Sequence, residues 1–402
     1  MATYKNILMV LPVMHGGGAE RVATLLLNEF QRQEHHCECL LTNDTPNKVI
    51  RNDLSSNIQL MFLQDLRVTR PSNISIFLPI LRLYSSAFCR LFELFRKPVP
   101  AHFAYLSFIS QHHDEIQKLH DYLISQPQTT VIVFLQPSIP LIMLAARGVP
   151  NKVIFSERGD AKRLMQHRYG KLFIKKYYKR ANTAVFQTDE AKDSYPANIS
   201  AKGHIIINPV KTNLPSPFVG ERRKVINTFC RISKQKNLPL LLEAFLLLHE
   251  KHPDYQLHII GDALNPEGES VMAQLKQFVA SSHLDDIVSF KPFTHFVHQE
   301  IIEDAMYVNS SDYEGISNAM LEAMAIGLPT ICTDCPIGGV RTIIHDHENG
   351  LLIPVRDVQA LANAMTEVIE NPFLAKKLSD NGSKIRDELN VEKIARSWLE
   401  LL

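Results

Sequence analysis

The sequence has few of the features that mark disulfide-stabilised, nucleic-acid-binding or membrane-spanning proteins. Its 402 residues include six cysteines and one tryptophan. The formal net charge is +1, because 43 Lys and Arg residues offset 42 Asp and Glu residues. Such a balance gives no overall attraction to nucleic acid, so we expect no nucleic-acid partner. A hydrophobic content of 45% predicts instead an ordered globular protein of two or three domains.

Neither a secretory leader nor a zinc-binding cysteine set is evident. Residues 1–11 lack a charged stretch followed by an apolar one, so we expect reduced cysteines and a cytoplasmic location. Cys332 and Cys335 have the C-x-x-C spacing, but no second pair or histidine set completes a zinc site. We interpret this pair as structural.

The longest apolar region, residues 74–95, is interrupted by Pro79, Arg82, Arg90 and Glu93. A spanning helix needs about 20 mostly uncharged residues, so this segment should not cross a bilayer. Basic and apolar residues are interleaved in 74–97, and 162–180 is basic and aromatic. The two segments predict contact with an anionic membrane surface, such as the inner face of the cell membrane. The alternative is a solvated helix face with a stripe facing the core.

Short runs rich in Val and Ile alternate with amphipathic stretches, which predicts parallel sheets built from βαβ units. The runs lie at 6–11, 131–135, 152–155, 183–186, 204–207, 225–230, 256–260, 287–290, 330–333 and 350–353. A proline-bearing segment, residues 208–217, separates two series of runs. We therefore predict an α/β protein with two doubly wound Rossmann-like domains, whose ligands bind at the carboxyl ends of strands that face a cleft.

The predicted domains are residues 1–212 and 213–385, followed by a helix within 386–402. Residues 67–117 fit neither series and are interpreted as a helical insertion in the first domain. Apolar residues at helical spacing from Val391 to Leu402 predict the final helix, which needs a surface to cover.

Two glutamates frame a predicted helix start. Glu314 is followed by Gly315, and Ser317 or Asn318 is a suitable N-cap. Backbone amides in the first turn of a helix favour an anion such as a diphosphate. Glu322 follows inside an apolar helix, where a buried carboxylate needs a partner. The partner is either the hydroxyl pair of a ribose or a core Arg or Lys.

These motifs resemble those of a known family. The segment EGISNAMLEAMAIGLP, residues 314–329, is similar to the signature of the family 4 retaining glycosyltransferases, which have the two-domain GT-B fold. The segment CRISKQKN, residues 230–237, is similar to the one that clamps the donor diphosphate in that family. An Arg and a Lys after a strand supply a guanidinium fork and a point charge for phosphate oxygens.

Two segments of the first domain extend the resemblance. The glycine-rich segment HGGGAER, residues 15–21, is similar to the first loop of the family, which faces the donor phosphates and the acceptor across the cleft. A dinucleotide-binding loop would require glycine where Arg21 stands, so NAD is disfavoured. The segment SERGD, residues 156–160, resembles one found in bacterial polysaccharide members. It places Glu157 and Arg158 on the acceptor or sugar side, with a surface ion pair as the alternative.

The resemblance implies a retaining, metal-independent transfer that uses no cofactor. The donor is a nucleotide diphosphate sugar, with UDP as the expected nucleotide and a hexose or N-acetylhexosamine as the sugar. The acceptor is a glycan, lipid-linked or part of a cell-surface polysaccharide. The final helix crosses back onto the first domain. The alternative activity is a nucleotide-sugar epimerase of the same architecture.

The resemblance also implies individual roles. The catalytic residues are Glu314, Arg231, Lys236 and Glu157. The nucleotide-sugar contacts are Gly16, Gly17, Gly18, Arg231, Lys236, Phe290, Pro292, Glu314, Gly315, Ile316, Ser317, Asn318 and Glu322. The sequence departs from the family pattern at Cys230, where glycine is usual, and at Ile316 and Ser317, where Phe-Pro is common.

Overall fold

The computed structural model describes residues 4–15, 17–43, 53–69, 78–95, 100–135, 138–158, 164–165 and 170–402. The chain divides into two compact units. Unit 1 comprises Met1–Ile206 with Ile394–Leu402, and unit 2 comprises Ile207–Lys393. The first unit thus ends before the predicted boundary between residues 212 and 213.

Unit 1 contains a seven-stranded parallel sheet in the order β3-β2-β1-β4-β5-β6-β7. Its strands are β1 (Asn6–Leu11), β2 (His36–Leu41), β3 (Gln59–Phe62), β4 (Thr129–Phe134), β5 (Val153–Ser156), β6 (Thr183–Phe186) and β7 (Gly203–Ile205). Central strands such as β1 are continuous apolar runs, because helices cover both faces of a parallel sheet.

The helices of unit 1 include those of the predicted insertion. They are α1 (Gly18–Arg32), α2 (Leu78–Leu94), α3 (Ala101–Gln111), α4 (His113–Ser125), α5 (Ser138–Ala145), α6 (Gly170–Lys176), α7 (Asp189–Asp193) and α8 (Ala197–Ser200). Phe88 of α2 stacks on Phe103 of α3 with ring centroids 4.7 Å apart. Aromatic packing therefore joins the helices on either side of residues 96–99. In the part of the chain that the structure describes, no helix has both the length and the apolar composition of a membrane span.

Unit 2 contains a six-stranded parallel sheet in the order β10-β9-β8-β11-β12-β13. Its strands are β8 (Arg223–Phe229), β9 (Gln256–Ile260), β10 (Val288–Lys291), β11 (Asp304–Asn309), β12 (Thr330–Thr333) and β13 (Leu351–Ile353). Its helices are α9 (Leu238–His249), α10 (Pro266–Ser281), α11 (Val297–Ile301), α12 (Asn318–Ala325), α13 (Val358–Glu370), α14 (Pro372–Gly382) and α15 (Ile385–Glu388). The two parallel sheets confirm the predicted fold of two Rossmann-like domains.

The last helix is α16 (Val391–Leu399), and its residues from Ile394 onward belong to unit 1. Trp398 is 1% exposed and stacks on Phe134 of β4, with centroids 5.7 Å apart. The Lys5 ammonium group donates a hydrogen bond of 2.9 Å to the carbonyl oxygen of Leu402. The predicted return of the final helix to the first domain is confirmed.

Asp304, the first residue of β11, is a buried carboxylate of unit 2. Its oxygens accept hydrogen bonds from Arg223 at 2.7 Å and from Asn227 at 3.0 Å. Burial nevertheless outweighs these contacts and raises the pKa of Asp304 from 3.8 to about 6. The carboxylate form therefore destabilises the folded state relative to the protonated form.

We expect Asp304→Asn to stabilise the protein at neutral pH and to leave it nearly unchanged near pH 4. The raised pKa contributes stability that is complete below the unfolded pKa and is lost as pH rises through the folded pKa. The difference in unfolding free energy between variant and wild type should therefore grow to at most about 3 kcal/mol by pH 7.5. Urea unfolding should be followed by circular dichroism, since the single tryptophan lies in unit 1. A wild type that gains stability relative to the variant as pH rises would contradict this account.

Candidate functional site

A partly buried ion pair lies at the point where the strand order of unit 2 reverses. Strands β8 and β11 are neighbours in the sheet, and their carboxyl ends lead into the segments that carry Lys236 and Glu314. Ligands of open α/β sheets bind at such a switch point. The Lys236 Nζ atom lies 2.6 Å from Glu314 Oε2, and the two side chains are 12% and 14% exposed.

The charge of Lys236 is maintained despite its burial. Burial lowers the pKa of Lys236, but the Glu314 carboxylate raises it more, so the net shift is upward. The Cys230 thiol, which stands where the family has glycine, has a pKa that burial raises. Next to the ion pair it is therefore a neutral group at pH 7.

Hydrogen bonds fix the two segments that hold the ion pair. The Asp312 amide donates to the Gln235 carbonyl oxygen at 2.9 Å, and the Gln235 side chain donates to the Tyr313 carbonyl oxygen at 2.9 Å. Asn237, in the left-handed region with φ 42°, donates from its side chain to Asp312. The Ser311 hydroxyl lies 3.1 Å from Glu314 Oε2. This cross-bracing preforms the Lys236–Glu314 geometry.

Arg231 lies on the same segment and faces solvent. Its side chain is exposed, and within the described ranges it has no hydrogen bond or ion pair. Its positive charge is close enough to Lys236 to lower the pKa of that lysine. Of the two cations predicted to clamp a diphosphate, Lys236 is thus paired with Glu314 and Arg231 is exposed.

The segment from Gly315 to Asn318 leads into α12. The Ser317 hydroxyl oxygen accepts from the Met320 amide at 3.4 Å and caps the helix. The Asn318 side-chain oxygen accepts a hydrogen bond of 2.8 Å from Asn208. The backbone of Gly339 approaches Gly315 so closely that a Cβ atom at 339 would lie 1.8 Å from the Gly315 oxygen. The Ile316 side chain is buried in the core of unit 2.

Glu322 is buried in α12 beside a histidine. Its Oε2 atom lies 2.8 Å from His298 Nε2, and both side chains are 4% exposed. The sequence left ribose and a core Arg or Lys as alternative partners, and the structure places a histidine there. Sequence reasoning missed His298, because a single histidine in a five-residue helix carries no motif.

The turn after β10 exposes aromatic side chains other than Phe290, the one predicted to contact the nucleotide. Phe290 is partly buried and packs against the hydrophobic core of unit 2. Pro292 is exposed, as are Phe293 and Phe296 on the same turn. The exposed aromatic rings of this turn are therefore two that the sequence did not single out.

In unit 1, the glycine-rich loop follows β1, beside the point where that sheet reverses order. Gly16 lies outside the described residues. Gly17 is the N-cap of α1, and Gly18 is its first residue. The Glu20 carboxylate accepts from the His15 amide at 2.6 Å and from the Gly17 amide at 2.9 Å. The Glu20 carboxylate thus accepts hydrogen bonds from two amides of the loop that was predicted to contact the ligand.

Glu157 and Arg158 follow β5 at the same edge of the unit 1 sheet. Glu157 is 4% exposed, and its Oε1 atom accepts from the Arg158 amide at 3.0 Å. The Arg158 guanidinium lies over the Phe134 ring, 4.5 Å from its centroid. Burial lowers the pKa of Arg158 to about 9, and Glu157 opposes this shift. Glu157 is therefore buried in unit 1, whereas Arg158 is partly exposed.

Comparison with known proteins identifies part of the chain. Residues 211–385 match the protein family described as Glycosyl transferases group 1. An uncharacterized glycosyltransferase of Haemophilus influenzae is 28% identical over 198 residues, which are 49% of this chain and 54% of that protein. A poly(ribitol-phosphate) alpha-N-acetylglucosaminyltransferase of Staphylococcus aureus is 28% identical over 47% of this chain and 37% of its own length. The chain thus spans about half or less of the length of these relatives.

The whole chain is similar in fold to solved structures. The Anabaena protein HepE, in complex with UDP and glucose, superposes with a TM-score of 0.75 over 99% of each chain at 16% sequence identity. At this identity the likeness establishes the fold alone.

Proposed function

Since residues 211–385 are a domain of the group 1 glycosyltransferases, we propose that the protein is a retaining glycosyltransferase. It moves a hexosyl or N-acetylhexosaminyl group from a UDP-sugar to a glycan acceptor that is lipid-linked or part of a cell-surface polysaccharide. The observation that carries the proposal is the partly buried Lys236–Glu314 pair at the strand-order reversal of that domain, with Arg231 exposed beside it.

The cations of this site suit a diphosphate leaving group. Arg231 provides a planar fork and Lys236 a point charge, and both stabilise negative charge that increases as the sugar–phosphate bond breaks. Because these two side chains supply positive charge at the site, we propose transfer without a metal ion. Glu314, held by Lys236, is oriented to accept hydrogen bonds from the donor sugar. Glu322 accepts hydrogen bonds from the ribose.

The proposed reaction is same-face displacement. The bond between the anomeric carbon and the diphosphate oxygen breaks, and the acceptor oxygen forms its bond on the same face of the sugar. The acceptor proton passes to an oxygen of the leaving diphosphate. The chain contributes positioning and electrostatic stabilisation rather than a covalent nucleophile. In unit 1, Glu157, Arg158 and the loop of Gly16, Gly17 and Gly18 serve the acceptor and donor-sugar side.

Names of similar proteins support the donor and acceptor classes. HepE was solved with UDP and glucose, and the Staphylococcus aureus relative is named for transfer of N-acetylglucosamine to poly(ribitol-phosphate). UDP-glucose and UDP-N-acetylglucosamine are therefore the first donors to assay.

Donor hydrolysis provides the direct test. The protein should release UDP from at least one of UDP-glucose, UDP-galactose and UDP-N-acetylglucosamine, and release should be unchanged by EDTA because Arg231 and Lys236 replace a metal. Nuclear magnetic resonance of a glycoside product should show the anomeric configuration of the donor. An isomerised sugar nucleotide without UDP release would contradict transfer and indicate an epimerase.

Lys236→Ala and Glu314→Gln should each lower the rate of transfer by at least roughly tenfold, since each removes a transition-state contact. Lys234→Ala is the matched control, because Lys234 is exposed on the same short helix. Circular dichroism should show that all three variants are folded. Full turnover in both site variants would exclude this site.

We also propose that unit 1 docks on an anionic membrane. Large apolar side chains of α2 and the residue after it are half to three-quarters exposed: Ile80, Leu83, Tyr84, Leu91, Leu94 and Phe95. Arg90 is exposed on the same helix. Residues 74–77 and 96–97 of the predicted segment, and 162–163 and 166–169 of the second, lie outside the described residues.

Aromatic contacts connect α2, through α3, to a basic segment around Tyr177. Tyr105 of α3 stacks on Tyr177 with ring centroids 5.2 Å apart, and α3 also packs on α2. Lys175, Lys179 and Arg180, which flank Tyr177, are exposed. Apolar rings and aliphatic chains next to exposed cations match the chemistry of an anionic bilayer surface.

Flotation with liposomes should recover the protein with vesicles that contain phosphatidylglycerol and recover less with phosphatidylcholine alone. Leu83→Glu combined with Leu94→Glu should abolish flotation, whereas Phe373→Glu, an exposed aromatic of unit 2, should not. Equal recovery from both vesicle types would contradict electrostatic docking. A concentration-dependent increase in mass that the double variant removes would instead indicate that a second copy covers the face.

A further inference from the structure

The pairing of Glu322 with a histidine is the most informative contact that the proposed roles leave unexplained. His298 projects from the short helix α11, between the buried residues Val297 and Ile301. Its Nε2 atom lies 2.8 Å from Glu322 Oε2, and each of the two side chains is 4% exposed. The remaining residues of α12 that surround Glu322 are Met320, Leu321, Ala323, Met324 and Ala325, all buried.

The choice of histidine as the partner of Glu322 determines how much positive charge lies beside the carboxylate. A carboxylate in such apolar surroundings requires compensation. Lysine or arginine would place a permanent positive charge against it, and that charge would compete with any ligand for the carboxylate. An imidazole donates one N–H bond whether or not it is charged, so it orients the carboxylate without necessarily neutralising it. Glu322 can then remain a strong acceptor for hydroxyl groups.

The His298 ring is held in place by the strand that leads to the cations. Phe229, the last residue of β8, packs edge to face against His298 with centroids 5.7 Å apart. Phe229 also packs on Tyr307 of β11, at 5.0 Å. The orientation of the imidazole is therefore coupled to the two strands that place Lys236 and Glu314.

We infer that His298 is a positioning residue, which orients Glu322 to bind the vicinal hydroxyls of the donor's ribose. This inference rests on the proposed function and deepens it, because it assigns the ribose subsite a supporting residue. His298 itself does not touch the nucleotide.

Binding of UDP and of 2′-deoxy-UDP to the full chain, measured by calorimetry, tests the inference. The variants are His298→Ala, His298→Gln, Glu322→Gln and the double variant His298→Ala/Glu322→Gln. Pyrophosphate is the control ligand, since Arg231 and Lys236 lie on a different segment and should bind it equally in all variants. His298→Leu replaces the alanine variant if the latter fails to bind pyrophosphate.

Wild-type protein should prefer UDP over 2′-deoxy-UDP. His298→Ala should lose about tenfold in UDP affinity and change little for 2′-deoxy-UDP, which corresponds to one weakened hydrogen bond to a charged group. His298→Gln, which keeps an N–H donor, should stay within about threefold of the wild type. In the Glu322→Gln background, removal of His298 should have no further effect on the preference.

Two outcomes overturn the inference in distinguishable ways. If wild-type protein binds UDP and the preference over 2′-deoxy-UDP is the same in His298→Ala, then His298 is only structural and the proposed donor stands. If wild-type protein binds pyrophosphate but not UDP, the proposed donor is wrong, and the ribose assignment fails with it.

Discussion

Parallel pairing of β8 with β11 is the constraint on which the candidate site depends. The two strands are neighbours although β9 and β10 lie between them in sequence, so the chain leaves the sheet in opposite directions from their carboxyl ends. That arrangement brings Lys236 within 2.6 Å of Glu314. The same two strands seat Phe229 and Tyr307, which support His298. The Lys236 ammonium group, the Glu314 carboxylate and the His298 imidazole are thus all positioned by the pairing of β8 with β11.

The fold was predictable because most strands are apolar runs, and the exceptions are instructive. The pattern of apolar runs predicts β1 and β4 but does not predict β2, β3 and β11. Strand β2 (HCECLL) contains His36 and Glu38, and β11 (DAMYVN) begins with Asp304. In β11 both polar ends are buried, and Asp304 is paired with Arg223, which lies 81 positions earlier in the sequence. Local pattern cannot reveal such partners.

The site was predictable as a set of residues but not as a set of contacts. Family resemblance named Lys236 and Glu314 separately, and their pairing depends on strand order across 78 positions of sequence. His298 had no local signal. Glu20 did have one, because a glutamate three residues after an N-cap is the spacing of a capping box. The packing of Phe290 on the core depends on strand alternation, which decides which ring faces the core.

The contacts of Glu20 reduce what a ligand anion would gain by binding at the glycine-rich loop. The His15 and Gly17 amides already hold a carboxylate, so a ligand anion gains only the difference between its own hydrogen bonds and those it displaces. A singly charged group similar to a carboxylate has almost no advantage in that exchange. A more highly charged phosphate would have an advantage in that exchange. If an anionic donor binds at this loop, as proposed, the exchange would discriminate by charge and would gain that selectivity at the expense of affinity.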